Sequence, residues 1–333
     1  MDRPTGFSIP SNVSISEFTQ SYSFADKQEI DRFSSNSGLM CFDNVTYENV
    51  AVCEFNKGKK LGSGAFGNVF EATFARNDKK VAVKECVARI NSENYILLGW
   101  AKRMGRELEI NSTSHQCENL LKCHGYIITP ESHVFLYLEL MSISLAQLSR
   151  AVGKISDRFV GKFAVDVVTG MHYLRRLQMV HRDLKPDNML IDEFGMVKLA
   201  DFGFIGYVTH MSVVSNTLGV TLYTAPEVFT TLPGAPPYKS SVDVWSFAIS
   251  MLELIRGEHP LVGQEHDLLN AVIPALTREE APFLHELIND CLRRKPSERP
   301  RIQALPDHEA IRRIKGETDI REEVRQWLRR FLA

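Results

Sequence analysis

The sequence has no cysteine pair at C-x-x-C spacing, no long uninterrupted apolar run and no excess of either charge. Six cysteines, at 41, 53, 86, 117, 123 and 291, are too scattered for a dense disulfide framework. Reduced thiols in the cytoplasm are the simplest account, and the nucleus offers the same redox setting. His115, Cys117, Cys123 and His124 crowd together, but their spacing fits no zinc motif. Cys123 falls in an apolar, strand-like run, which favours a packing role. No apolar stretch approaches membrane-spanning length, so no membrane insertion is expected, and Met1-Asp2-Arg3-Pro4 does not open a signal peptide. Lys and Arg number 39 against 41 Asp and Glu, a formal charge of -2. That balance speaks against a protein built to neutralise nucleic-acid phosphates.

What is present is enough apolar material for a core: 44% of 333 residues are hydrophobic. The length suits two domains or one two-lobed one. Residues 1–54 are rich in Ser, Asn and Thr, which predicts a flexible or loosely docked extension. The character changes near Cys53. Leu61 leads into Gly62-Ser63-Gly64-Ala65-Phe66-Gly67-Asn68-Val69, where three glycines let backbone N–H groups approach phosphates. A G-x-G-x-x-G alone is weak, because dinucleotide-binding folds use it before a helix. Here the next run, Val69 to Phe74, alternates like a strand. A polar turn follows, then a second strand, Val81-Ala82-Val83-Lys84. A helix is expected over 95–111, with strands over 120–128 and 134–140. From Ser144 the period becomes helical, with Phe159, Phe163, Val167, Met171 and Leu174 at spacings of three and four.

His181-Arg182-Asp183-Leu184-Lys185-Pro186-Asp187-Asn188 puts a carboxylate, an ammonium and a carboxamide into one short loop. Asp183 can accept a proton from a hydroxyl, Lys185 can stabilise a phosphoryl group, and Asn188 can ligate magnesium. A short hairpin, Leu190-Ile191 to Met196-Leu199, separates it from Asp201-Phe202-Gly203. Ala225-Pro226-Glu227, Asp243-Val244-Trp245 and Arg299-Pro300 follow.

In this order and spacing the motifs resemble those of the eukaryotic protein kinases, over roughly residues 55–315. The resemblance implies an α+β, bilobal fold. A small antiparallel lobe with one main helix (55–140) precedes a larger, mostly helical lobe (141–315). It implies ATP and Mg2+ as cofactors. ATP would be lined by residues 61–69, Ala82, Lys84, Glu139, Met141 and Leu190. Lys84 would hold the α- and β-phosphates and pair with Glu107, with Glu109 as the alternative. Asp183 would serve as base, Lys185 as stabiliser, and Asn188 and Asp201 as metal ligands. Asp243 would brace the catalytic loop, and Glu227 would pair with Arg299.

Lys185-Pro186 resembles the serine/threonine class, which implies a protein substrate with a Ser or Thr acceptor. Glu139 to Leu145 and Ser240 to Phe247 resemble mitogen-activated protein kinase kinases. Arg182 before Asp183 implies control by phosphate on the activation segment, placed by an upstream kinase at Ser212, Ser215 or Thr217. Two positions depart from the family pattern. Val220 stands where a threonine is usual, and Asn111 stands where an apolar residue is usual. Both argue weakly for the competing reading, a nucleotide-binding scaffold without transfer activity, and the retention of Lys84, Glu107, Asp183, Asn188 and Asp201 argues against it. Residues 316–333 predict an amphipathic helix. Ile320, Val324, Trp327, Leu328 and Phe331 line one face and four arginines the other, for packing on the large lobe or for a partner.

Overall fold

The computed structural model describes residues 35–64, 67–87, 110, 116–129, 133–207, 221–230 and 240–332. They fall into two compact units, one from residues before 106 with 122–140, the other from 106–121 with 141 onward.

The described residues of the first unit form a seven-stranded antiparallel sheet. Its strands are β1 (Met40–Phe42), β2 (Val45–Tyr47), β3 (Phe55–Gly64), β4 (Gly67–Phe74), β5 (Lys80–Val87), β6 (Cys123–Ile128) and β7 (His133–Glu139), in the order β2-β1-β6-β7-β5-β4-β3. Strand alternation sends Val81 and Val83 to one face, where they join Ala72, Phe74, Tyr137, Phe42 and Met40. Ala82 and Lys84 therefore point to the other face.

Two features differ from the sequence reading. Residues 40–54, expected within a flexible or loosely docked extension, are folded onto the sheet. Asp43 and Asn44, at φ of 48° and 68°, form the two-residue turn that joins β1 to β2. Met40, Phe42 and Val50 are buried, and Phe42 stacks on Phe74 (5.1 Å) and His124 (4.6 Å). A few apolar residues among polar neighbours suffice, because each fills a place on a sheet that already exists. That packing also occupies His124, whose Nδ1–H donates to Cys41 O at 3.0 Å. The second difference is the start of β6, at Cys123 rather than Leu120. Leu120 and Leu121 belong to the second unit instead, where they pair with Leu199.

The second unit is mainly helical: α1 (Leu145–Val152), α2 (Asp157–Arg176), α3 (Glu227–Thr230), α4 (Ser241–Arg256), α5 (His285–Cys291), α6 (Glu309–Lys315) and α7 (Ile320–Leu332). Short strands β8 (Ile143–Ser144), β10 (Met189–Ile191) and β11 (Val197–Leu199) form one small sheet; β9 (Met179–Val180) and β12 (Gly206–Tyr207) form another. Ser144 starts α1 through a reciprocal capping box with Gln147, both bonds at 3.1 Å. Helix α4 is apolar nearly all round and lies in the core. Helix α2 runs so close to β11 that a Cβ on Gly170 would stand 2.9 Å from Leu199 and 3.0 Å from Asn119 O. Helix α7 buries Ile320, Val324 and Leu328, and Trp327 lies 5.2 Å from Phe159 of α2. Among the described residues no helix is long and apolar enough to cross a membrane.

Candidate active site

The loop 181–188 leaves β9, which is pinned to β12 through Val180 and Gly206. Its start is fixed by Asp243, in the first turn of α4. One carboxylate oxygen accepts the His181 N–H at 2.7 Å, the other the Arg182 N–H at 2.8 Å. Burial pushes the Asp243 carboxyl above its usual range, while the nearby His181 and Arg182 and the two N–H donors work the other way. His181 is itself fully buried. Its Nδ1 accepts the Asp183 N–H (3.3 Å) and its Nε2–H donates to Ala200 O (3.1 Å), which sets the tautomer. Its ring lies 5.5 Å from that of Phe202.

The Asp183 carboxylate is held from within its own loop. Lys185 Nζ donates to it at 2.9 and 3.1 Å. Asn188 Nδ2 donates to Asp183 Oδ2 and to Asp183 O, both at 2.8 Å. Pro186 presets φ for the tight turn over 186–188 that returns Asn188 to Asp183. Because Asn188 commits its amide hydrogens here, Oδ1 is the atom it can offer a cation. The β10–β11 hairpin then carries the chain back beside the loop. Asn188 O accepts the Ala200 N–H at 2.9 Å, one residue before Asp201. Asp201 takes a left-handed conformation (φ 63°, ψ 73°), costly for a side-chain-bearing residue and of the kind that clusters at functional sites. Its carboxylate and Asn188 Oδ1 are hard oxygen donors, which suits magnesium.

In the first unit, Gly62, Ser63 and Gly64 pair with Val69, Asn68 and Gly67 across the β3–β4 hairpin. Gly67 has no alternative as a residue type: its φ is +145°, and a Cβ would stand 1.7 Å from Glu85 O. Val69 pairs with Lys84, and Ala82 with Leu138. Lys84 is buried on the face opposite the apolar core. Leu61 ends its run on the same hairpin, and Glu139 closes β7 with its N–H on Lys122 O (2.9 Å). In the second unit, Leu190 pairs with Ser144, and Ser142, just after Met141, donates its N–H to Ile191 O (3.0 Å). Ala65, Phe66, Glu107, Glu109, Asn111, Ser212, Ser215, Thr217 and Val220 lie outside the described residues.

Beyond the loop, Glu227 and the buried Arg299 form a two-bonded ion pair at 2.7 and 2.8 Å. Tyr223 donates its hydroxyl to Glu253 at 2.6 Å, and burial raises both groups' pKa values. Thr221, next to Val220, gives its N–H to Thr224 Oγ1 at 3.0 Å.

Three residues that steady this site carried no signal in the motifs. Asn119 donates from Nδ2 to Val197 O at 3.0 Å and accepts the Leu199 N–H at 2.9 Å. Lys162 and Asp166 form a buried ion pair on α2. At helical spacing such a pair reads as a solvated face; only the approach of β11 shows that the face is covered.

The sequence model of the protein kinase domain matches residues 55–311. Dual specificity mitogen-activated protein kinase kinase 7 of Homo sapiens is 28% identical over 319 residues, covering 92% of this chain and 73% of the relative. Dual specificity mitogen-activated protein kinase kinase mek-1 of Caenorhabditis elegans is 31% identical over 270 residues, covering 79% and 75%. The MAP kinase kinase MKK1/SSP32 of Saccharomyces cerevisiae is 30% identical over 275 residues, covering 76% and 52%.

Proposed function

The chain belongs to the protein kinase family, and from that premise we propose that it transfers the γ-phosphate of ATP to Ser or Thr hydroxyls of protein substrates. The setting is an intracellular phosphorylation cascade like that of the mitogen-activated protein kinase kinases it resembles. The supporting observation is the Asp183–Lys185–Asn188 constellation, braced by Asp243 and joined by one hairpin to Asp201.

Kinase domains in general use ATP and Mg2+, and when bound the ion offsets charge on the phosphates. Asn188 Oδ1 and the Asp201 carboxylate are the groups to hold it. Asp183 orients the acceptor hydroxyl and takes its proton as that oxygen bonds to the γ-phosphorus. The bond to the bridging oxygen breaks and ADP leaves. Lys185, whose ammonium already bonds Asp183 at 2.9 Å, stabilises the charge that spreads over the phosphoryl group in transit. Lys84, paired across the strands with Val69 of the glycine hairpin, is the group to hold the α- and β-phosphates, and Glu107 is its proposed carboxylate partner. Little covalent work is asked of the protein; positioning supplies most of the acceleration.

Lys185-Pro186 supports a Ser or Thr acceptor, whereas two of the relatives are dual specificity kinases, which favours tyrosine as a further acceptor. Phosphoamino-acid analysis of products separates the readings: phosphoserine and phosphothreonine alone fit the first, added phosphotyrosine the second. Asp183→Asn should lower transfer by at least about 100-fold and leave nucleotide binding nearly intact. Loss of nucleotide binding in that variant would contradict Asp183 as base. No transfer by the wild type, even with a phosphorylated activation segment, would defeat the reading as a whole.

A further inference from the structure

The hairpin between Asn188 and Asp201 is gripped at its far end. From α2, Lys162 Nζ donates to Gly195 O at 3.1 Å, and Asp166 Oδ2 accepts the Val197 N–H at 2.8 Å. Both side chains are buried and paired with each other, an arrangement that is costly to leave incomplete. From the other side α7 closes on the same turn. Arg321 Nε donates to Phe194 O at 3.4 Å, and the Arg325 guanidinium lies 5.3 Å from the Phe194 ring. Gly195 has φ +79°, and a Cβ there would stand 3.1 Å from Val324 and 3.3 Å from Arg321 O. Helix α7 is tied in turn to α2, because Arg158 pairs with Glu323 on it and with Glu317, just before it, at 2.7 Å. Residues 320–332 lie beyond the matched kinase domain.

We propose that α7 is a positioning element for the phosphoryl-transfer site. It presses on the 192–196 turn, and through that turn it sets the spacing of the oxygen donors at the hairpin's two ends, Asn188 and Asp201. The physical reason is length. Strands β10 and β11 share only three residue pairs, too few to hold their own geometry firmly. Asp192 orders the turn locally, its Oδ1 accepting the Phe194 and Met196 N–H groups at 2.9 and 2.8 Å. What keeps the turn fixed against the body of the unit is α2 on one side and α7 on the other. This rests on the reading that Asn188 and Asp201 hold magnesium.

The test uses the full chain. Arg158→Glu turns an attraction to Glu317 and Glu323 into repulsion; adding Glu323→Arg restores one opposite-charge pair. Trp327 fluorescence, taken as a difference against Trp327→Phe, reports docking of α7. Hydrogen exchange at the Phe194 and Val197 amides reports the turn. Equilibrium binding of ATP at varied Mg2+ reports the site. With Arg158→Glu, Trp327 emission should shift to the red and both amides should exchange faster. The Mg2+ needed for half-maximal ATP binding should rise about two- to fivefold, the scale of a lost, partly exposed ion pair. ATP binding without Mg2+ should stay unchanged, and the double variant should regain all three. An undocked α7 with an unchanged Mg2+ requirement overturns the proposal. So does a double variant that recovers docking but not the Mg2+ requirement. If Arg158→Glu leaves Trp327 in place, Val324→Asp, which puts a carboxylate in the buried face against Gly195, is judged by the same outcomes. Wild-type ATP binding that ignores Mg2+ defeats the metal reading itself, which keeps the two failures apart.

Discussion

Asp183 gets its orientation from neighbours two and five residues away, so its setting is largely local. That is why the loop was legible as chemistry from sequence alone. Other single residues were not. Tyr137 stacks on Phe55 at 3.9 Å, and its hydroxyl is buried without a hydrogen-bond partner among the described residues. A buried hydroxyl left unmade costs stability, so Tyr137→Phe should raise the unfolding free energy by about 1 kcal/mol. A higher denaturant midpoint is the check; a lower one would show that the hydroxyl has a partner, such as a bound water. Glu253 bears on pH dependence. Unfolded, its carboxyl ionises at its ordinary value of 4.5; folded, burial keeps the proton on to higher pH. Between those values the folded state binds more protons, so its contribution to stability is present below 4.5 and is lost as pH rises through the folded pKa. Denaturant midpoints measured from pH 4 to 8 should therefore fall for wild type relative to Glu253→Gln. Parallel profiles would show that the carboxyl titrates alike in both states.

At the scale of elements, long periodic runs announced themselves and short ones did not. Helix α2 and strands β4, β5 and β7 carry their period over enough residues to be read directly. The β1–β2 hairpin has three residues per strand and a polar setting, a pattern that predicts only a flexible or loosely docked extension. Its weight in the fold can be measured. Phe42 is 1% exposed, so Phe42→Ala should cost about 3–5 kcal/mol, seen as a lower thermal midpoint. A tail that merely lay on the surface would leave that midpoint unchanged. Helix α7 was readable as amphipathic, yet nothing in its pattern said that its apolar face would meet the turn at Gly195.

Across the molecule, distant segments are joined by contacts whose partners are far apart in sequence. Glu227 and Arg299 are the clearest case, since the Arg299 side chain has no exposure and both its outer nitrogens bond the carboxylate. Arg299→Met should cost about 3–5 kcal/mol by stranding Glu227, and Glu227→Gln with Arg299→Met should recover part of that loss. Thermal unfolding of the two variants and wild type checks both statements. The sequence by itself determined the chemistry: a carboxylate, an ammonium, a carboxamide and a second carboxylate at spacings that local turns can satisfy. It also determined the alternation of the first unit and the helical period of the second, because these repeat along the chain. Only the tertiary structure decided which charges are buried. Lys162 and Asp166 look like a solvated pair until β11 covers them, and residues 40–47 look like a tail until a sheet edge receives them. Burial depends on what arrives from elsewhere in the chain, and no local window of sequence contains that information.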